Sequence, residues 1–342
     1  MTYEIDNALS VMLPNEETQP GVPSLASDIW GERLTCFTAA IGVWHARRQK
    51  HWWRLLVAGG PVLALQRRER YWLFEHSPFP WLPSLGLRMT GTNEWNDARH
   101  ALIAEMHSEG AVIVAGDVWN LPWQRGFRRW HAPHWFVLQE DAKDLFVDEP
   151  MAMMTPEGPQ SPIRVHVESA TLIEHARALP PISEVFHLRE LSIAGTDELV
   201  GGARYRWLER APQHTQIWKT PLPSHRLEGS AACLALADYF ETEGGNESAY
   251  EQADDLWQAL RQRELAVGAL EHDAEIGGDE VRLHWQEAIA EWRKVPVLLL
   301  HAKLRAGKGT SRPVAMLGAA LRRVAEFEGR NLIDLEVSQR RA

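Results

Sequence analysis

The sequence predicts an α+β unit followed by a mainly α-helical one, on three observations. Short apolar and aromatic runs with Pro- and Gly-rich borders crowd the first half of the 342-residue chain, and long segments of helical period fill its end. Between them lies a Pro-rich break, Thr155 to Pro162. At roughly 100 to 200 residues per domain the length fits two units, placed at residues 1–165 and 166–342.

The first unit opens with a helix starting at Thr35, where Phe37, Ala40, Ile41 and Trp44 recur at helical spacing. The runs Leu55 to Leu65, Tyr71 to Glu75, Ala111 to Ala115, Trp135 to Leu138 and Leu145 to Val147 have strand length. A second helix is predicted from Glu94 to Ser108, stopped by Gly110, so this half reads as a helix packed on an antiparallel sheet. After a less regular stretch from 166 to 228, helices are predicted over Ser230 to Glu241, Ser248 to Gly268, Asp279 to Lys303 and Pro313 to Glu328.

Composition narrows the function classes. With 45% hydrophobic and 24% charged residues the chain is neither disordered nor collagen-like. A net charge of −10 gives no overall attraction to nucleic acid or to an anionic membrane, and no apolar run approaches the length of a membrane span. Two cysteines, Cys36 and Cys233, make no disulfide framework, which together with an acidic N-terminus unlike a secretory signal points to the cytoplasm. Sixteen Trp, eleven of them before residue 150, suit a compact core or an aromatic-walled cleft.

Cys36 is the first chemical candidate. It stands in the opening turn of the predicted helix with Thr35 at the N-cap, where backbone N–H groups and the helix dipole favour a thiolate and are placed to receive an oxyanion. The candidate base is His134, in the segment His134 to Pro150, which reads as a β-hairpin turning at Glu140 to Lys143. With the turn centred on Asp141, Phe136 falls opposite Phe146 and His134 opposite Asp148. A carboxylate there would fix the imidazole tautomer and leave the other ring nitrogen for a thiol. Cys233, among Ala232, Leu234 and Ala235, reads as core.

The order Cys, His, Asp, with the Cys opening a helix and the others on a later sheet, is that of papain-like cysteine enzymes. More closely, Gly110 to Trp123, then His131-Ala-Pro-His134-Trp-Phe-Val and Phe146-Val-Asp148-Glu-Pro150, resembles the N-terminal domain family of butirosin biosynthesis protein H, with residues 110–150 the specific part. The resemblance implies a relative of bacteriocin-processing peptidases recruited to acyl transfer in secondary-metabolite biosynthesis, followed by a helical C-terminal domain. An acyl group would leave an acyl carrier protein thioester for Cys36 and pass to a small-molecule amine, forming an amide, with Cys36, His134 and Asp148 as the triad. The cofactor would be none of its own, since the phosphopantetheine belongs to the carrier.

This sequence departs from the family's Asp-Pro: Glu149 intervenes before Pro150, so Glu149 and Asp141 stand as alternatives to Asp148, which the cross-strand pairing favours. No Gln lies closer before Cys36 than Gln19, which leaves the second oxyanion donor unidentified, with Asn120 as a candidate and a turn role as its rival. Asp117 either caps the turn after a buried strand or faces the cleft. Arg125, Arg128 and Arg129, just before His134, are the basic residues chosen to steer an acidic carrier. His131 and His134 straddle Pro133, which breaks a regular ligand face, so no metal is expected. Alternatives in function are a thioesterase or peptidase with water as acceptor, and a non-catalytic scaffold that binds a carrier protein. The helical half is a candidate for shaping the acceptor site, docking the carrier or completing a homodimer.

Overall fold

The computed structural model describes residues 30–57, 60–61, 63–76, 79–141, 144–155, 158–167, 179, 183–194, 198–211, 226–273, 275–308 and 311–328. It is α+β with antiparallel sheets and a helical C-terminal region. The predicted first helix is α1 (Cys36–Ala46), begun by a reciprocal capping box in which Thr35 accepts from the Thr38 N–H and Thr38 from the Thr35 N–H. The apolar run from Leu55 divides differently from the expectation. Its start belongs to a short helix, α2 (Trp52–Val57), and only its end to strand β1 (Leu63–Arg68), because Gly60 at positive φ and Pro61 break the run.

Strand β1 pairs with β2 (Tyr71–His76) and β11 (Arg226–Glu228) in a three-stranded sheet. The main sheet has six antiparallel strands in the order β3 (Leu87–Thr92), β10 (Tyr205–Arg210), β4 (Ala111–Asp117), β5 (Pro133–Asp141), β6 (Asp144–Glu149), β9 (Ile163–Val167). Strands β7 (Met153–Thr155) and β8 (Gly158–Gln160) form a small hairpin beside it.

Alternation along β4 and β5 feeds two cores. Ile113, Ala115, Trp135 and Val137 pack under α1, while Val112, Val114, Phe136 and Leu138 pack with Ala98, Leu102 and Met106 of α3 (Trp95–Glu109). The sheet is therefore covered by a helix on each face rather than on one. A boundary at residue 165 divides this sheet, since β10 inserts between β3 and β4. Residues 205–210 lie outside the span 1–165 yet complete the first unit's sheet.

Between β9 and β10 lie α4 (Glu184–Ile193) and the short α5 (Glu198–Gly201). The helical region comprises α6 (Gly229–Glu243), α7 (Ala253–His272), α8 (Asp279–Trp292), α9 (Lys294–Arg305) and α10 (Arg312–Glu328). The single helix predicted from Asp279 to Lys303 is two, broken at Arg293, because Pro296 has no N–H to bond the Trp292 carbonyl. Leu265, Ala266 and Ala269 of α7 share one core with α1 and with the stacked Trp30 and Trp53. Among the described residues no helix is long and apolar enough to cross a membrane.

Candidate active site

Helix α1 runs along β5, which brings its first residue to the start of that strand and its C-cap to the end. Cys36 is in side-chain hydrogen-bond contact with His134, and Arg47 donates to Gln139. Cys36 is partly exposed, whereas His134 is buried. The sequence thus brings the predicted thiol and imidazole together.

The carboxylate in the site is Glu149, not Asp148. His134 Nε2 lies 3.0 Å from Glu149 Oε1, which leaves Nδ1 as the nitrogen available to Cys36. The predicted pairing of His134 with Asp148 is corrected by the register: Asp148 stands opposite Val137, three residues further along β5. A shift by an odd number exchanges the faces of a strand. Asp148 therefore shares a face with Val137, accepts from Gln139 at 3.5 Å and stands opposite Arg164 on β9. Its carboxyl is pushed up by burial, with Arg164 opposing. Glu149, one residue on, falls on the face of Phe136 and His134. The other alternative, Asp141, pairs with Asp144 at the far end of the strand.

Glu149 is buried and saturated with donors. Trp123 Nε1 donates at 3.0 Å, Gln124 Nε2 at 2.7 Å to Oε1 and 2.6 Å to Oε2, and Gln160 Nε2 at 2.7 Å. A buried carboxylate without such partners would be costly, so this shell holds its orientation. Sequence reasoning missed Trp123, Gln124 and Gln160; they lie in a loop and on strand β8, and nothing in their spacing marks them. The end of β6 is tied to the chain entering α1, since Ala152 N–H donates to Gly31 O at 2.9 Å. A Cβ on Gly31 would stand 2.8 Å from the Pro150 carbonyl oxygen, closer than backbone tolerates, so glycine allows Glu149 and Cys36 to come together.

The other predicted residues separate into supports and surface. Asp117 is buried and caps the short helical turn Val118–Asn120 through Trp119 N–H, while its carboxylate takes Ala132 N–H at 3.2 Å and His131 Nδ1 at 2.7 Å. It therefore closes the loop 118–132 just ahead of His134. Asn120 ends that turn, half-buried. Arg125 is exposed and donates to the Pro159 carbonyl at 2.9 Å, Arg128 sits at φ 57° with its guanidinium over Phe127, and Arg129 is exposed. Cys233 is buried in the helical core, where burial pushes its thiol well up. Gln19 lies outside the described residues. Among the described residues no three His, Cys, Asp or Glu side chains are grouped to hold a metal.

Burial opposes a charge on His134, but the Glu149 carboxylate and the Cys36 sulfur outweigh it and raise its pKa from 6.5 to about 10. A folded-state value above the unfolded one adds stability that is complete below the unfolded pKa of 6.5 and is lost as pH climbs through about 10. The melting-temperature advantage of the native chain over His134→Gln is therefore expected to be full near pH 6 and to shrink steadily toward about pH 10. An advantage that grows with pH over that interval contradicts the pairing. No protein-family model matches the chain, and no curated protein matches it.

Proposed function

We propose that this chain is a cysteine-dependent acyltransferase, with Cys36 as nucleophile, His134 as the proton carrier and Glu149 as the carboxylate that orients it. The observation that carries the reading is one imidazole held between a half-exposed thiol at a helix N-terminus and a saturated buried carboxylate. The donor, an acyl carrier protein thioester, and the acceptor, a small-molecule amine, follow from the resemblance to the butirosin biosynthesis protein H family and its papain-like fold. The exposed Arg125, Arg128 and Arg129, on the loop that also carries Trp123 and Gln124, suit an acidic carrier.

In the first step Cys36 Sγ attacks the thioester carbonyl, a C–S bond forms, and the pantetheine sulfur leaves with the proton held by His134. In the second an amine nitrogen attacks the acyl-Cys36 carbonyl, gives its proton to His134 and displaces the cysteine sulfur. The Cys36 N–H, at the first helical position and without an intrahelical acceptor, is placed to receive the oxyanion in both steps.

Intact-protein mass spectrometry after incubation with acyl-pantetheine thioesters tests this. The native chain is expected to gain the acyl mass and lose it on addition of an amine, and Cys36→Ala to gain nothing. Thiol release without an adduct, dependent on Cys36, would assign water as the acceptor. Absence of both adduct and thiol release would leave only a binding role.

A further inference from the structure

Outside the triad, a further charged group stands in the neighbourhood of Cys36. Arg189, on α4, lies within electrostatic reach of it. Its side chain is 16% exposed, and two of its three nitrogens are hydrogen-bonded. Nε donates to Asp255 Oδ1 at 3.2 Å, and the Gln258 amide, with its oxygen turned inward, accepts from Nε at 3.1 Å and Nη1 at 3.2 Å. Nη2 is buried without a hydrogen-bond partner. A buried guanidinium with an unused N–H edge is costly unless something takes it.

The surroundings are built for this group. Asp255, Gln258 and Arg261 recur at three-residue spacing on α7, and all three are buried, an uncommon polar stripe on a helix otherwise packed in the core. Arg261 repeats the pattern: Nη2 donates to the Ala152 carbonyl at 3.1 Å, while Nη1 is buried without a partner. The helix bearing Arg189 is itself anchored. The neighbouring Glu190 accepts from Trp135 Nε1 at 3.2 Å and faces Arg206 Nε at 3.2 Å, tying α4 to the main sheet. The titratable groups around Arg189 include the buried Asp255, whose proton is held off by that arginine, the buried His76, whose Nε2 lies 3.4 Å from Asp255, and the exposed Asp254.

We propose that Arg189 reads a carboxylate on the acyl group delivered to Cys36, so that the preferred substrates are dicarboxylic mono-thioesters or others with an anionic acyl end. This deepens the acyl-transfer reading and rests on it. A planar carboxylate suits the free edge of a guanidinium held by a fixed partner on its other side. The carrier's phosphate does not suit this position, because it lies the whole length of the pantetheine arm from the sulfur that Cys36 must attack.

The test offers the full chain paired pantetheine thioesters of equal length: succinyl with butyryl, glutaryl with pentanoyl, adipoyl with hexanoyl. Loading of Cys36 is timed by intact mass. The native chain is expected to load at least one anionic member about tenfold faster than its neutral partner, the scale of one charge-assisted hydrogen bond. Arg189→Met should equalise that pair by slowing only the anion, and Arg189→Lys should keep part of the preference. Equal rates within every pair in the native chain, or Arg189→Met slowing both members alike, overturn the proposal. Arg189→Gln with Asp255→Asn removes both charges together and serves if Arg189→Met unfolds. If no thioester loads at all, the transfer reading falls by itself. The anion site is then judged by protection of Cys36 from iodoacetamide with succinate, glutarate and adipate. Protection by one of them in the native chain and not in Arg189→Met supports the proposal, and its absence overturns it.

Discussion

Glu149→Gln is expected to slow acylation of Cys36 by about 10²- to 10⁴-fold, the range for losing a positioned acid-base partner, while Asp148→Asn stays within about threefold. The difference follows from which face of β6 each side chain occupies. Glu149 holds His134 Nε2 at 3.0 Å, so its carboxylate selects the tautomer and supports the imidazolium. Gln in its place brings an NH2 group against Trp123, Gln124 and Gln160, all of which donate to that position. The ring then loses its negative partner and gains a competing donor. Asp148 stands opposite Arg164 of the edge strand β9, away from His134, and its replacement alters only the Gln139 contact and a charge facing Arg164. Single-turnover loading by mass spectrometry, with thermal melts to confirm folding, separates the two. Equal losses, or a larger loss in Asp148→Asn, would return the carboxylate role to Asp148.

What the sequence revealed of this site depended on how local each feature is. The Thr35 cap and the helical period of Phe37, Ala40, Ile41 and Trp44 are contained in one turn after another, and α1 begins where they place it. His134 and its strand were equally legible, since the apolar run Trp135 to Leu138 is a property of neighbours. The wrong carboxylate came from the turn. Strand faces depend on register, and three residues of displacement between β5 and β6 were enough to exchange Asp148 for Glu149.

Other features are non-local and leave no sequence signal. Gln124 and Gln160 converge on Glu149 from two separate segments, and β10 enters the sheet from beyond the Pro-rich break. The buried polar stripe Asp255, Gln258 and Arg261 lies on a helix whose outer residues look like any charged surface. Only the packing of α7 against α4 and β2 gives it an inside, where His76 Nε2 reaches Asp255 at 3.4 Å beside Arg189.

That helix is held in place by a second buried ion pair, whose loss is expected to have the largest effect on stability. Arg263, on α7, meets Glu328 at the end of α10 through two bonds, Nε to Oε1 at 2.6 Å and Nη2 to Oε2 at 2.5 Å. Trp292 Nε1 of α8 donates to the same carboxylate at 2.8 Å, and the guanidinium lies 4.5 Å over the Trp292 ring. Both charged side chains are almost wholly buried, at 0% and 2% exposure, so removing one leaves the other's charge without solvent or counter-charge, with only the neutral contacts of Trp292 and Ala259 remaining. Glu328→Gln or Arg263→Met is expected to cost about 3–5 kcal/mol in urea unfolding, whereas Arg263→Met with Glu328→Leu should recover most of that loss. Additive losses in the double variant would mean that each side chain acts through packing alone. Recovery would show that the pair matters because its charges must be satisfied together, and it would restore α7, with Asp255 and Gln258 on it, to its place against Arg189.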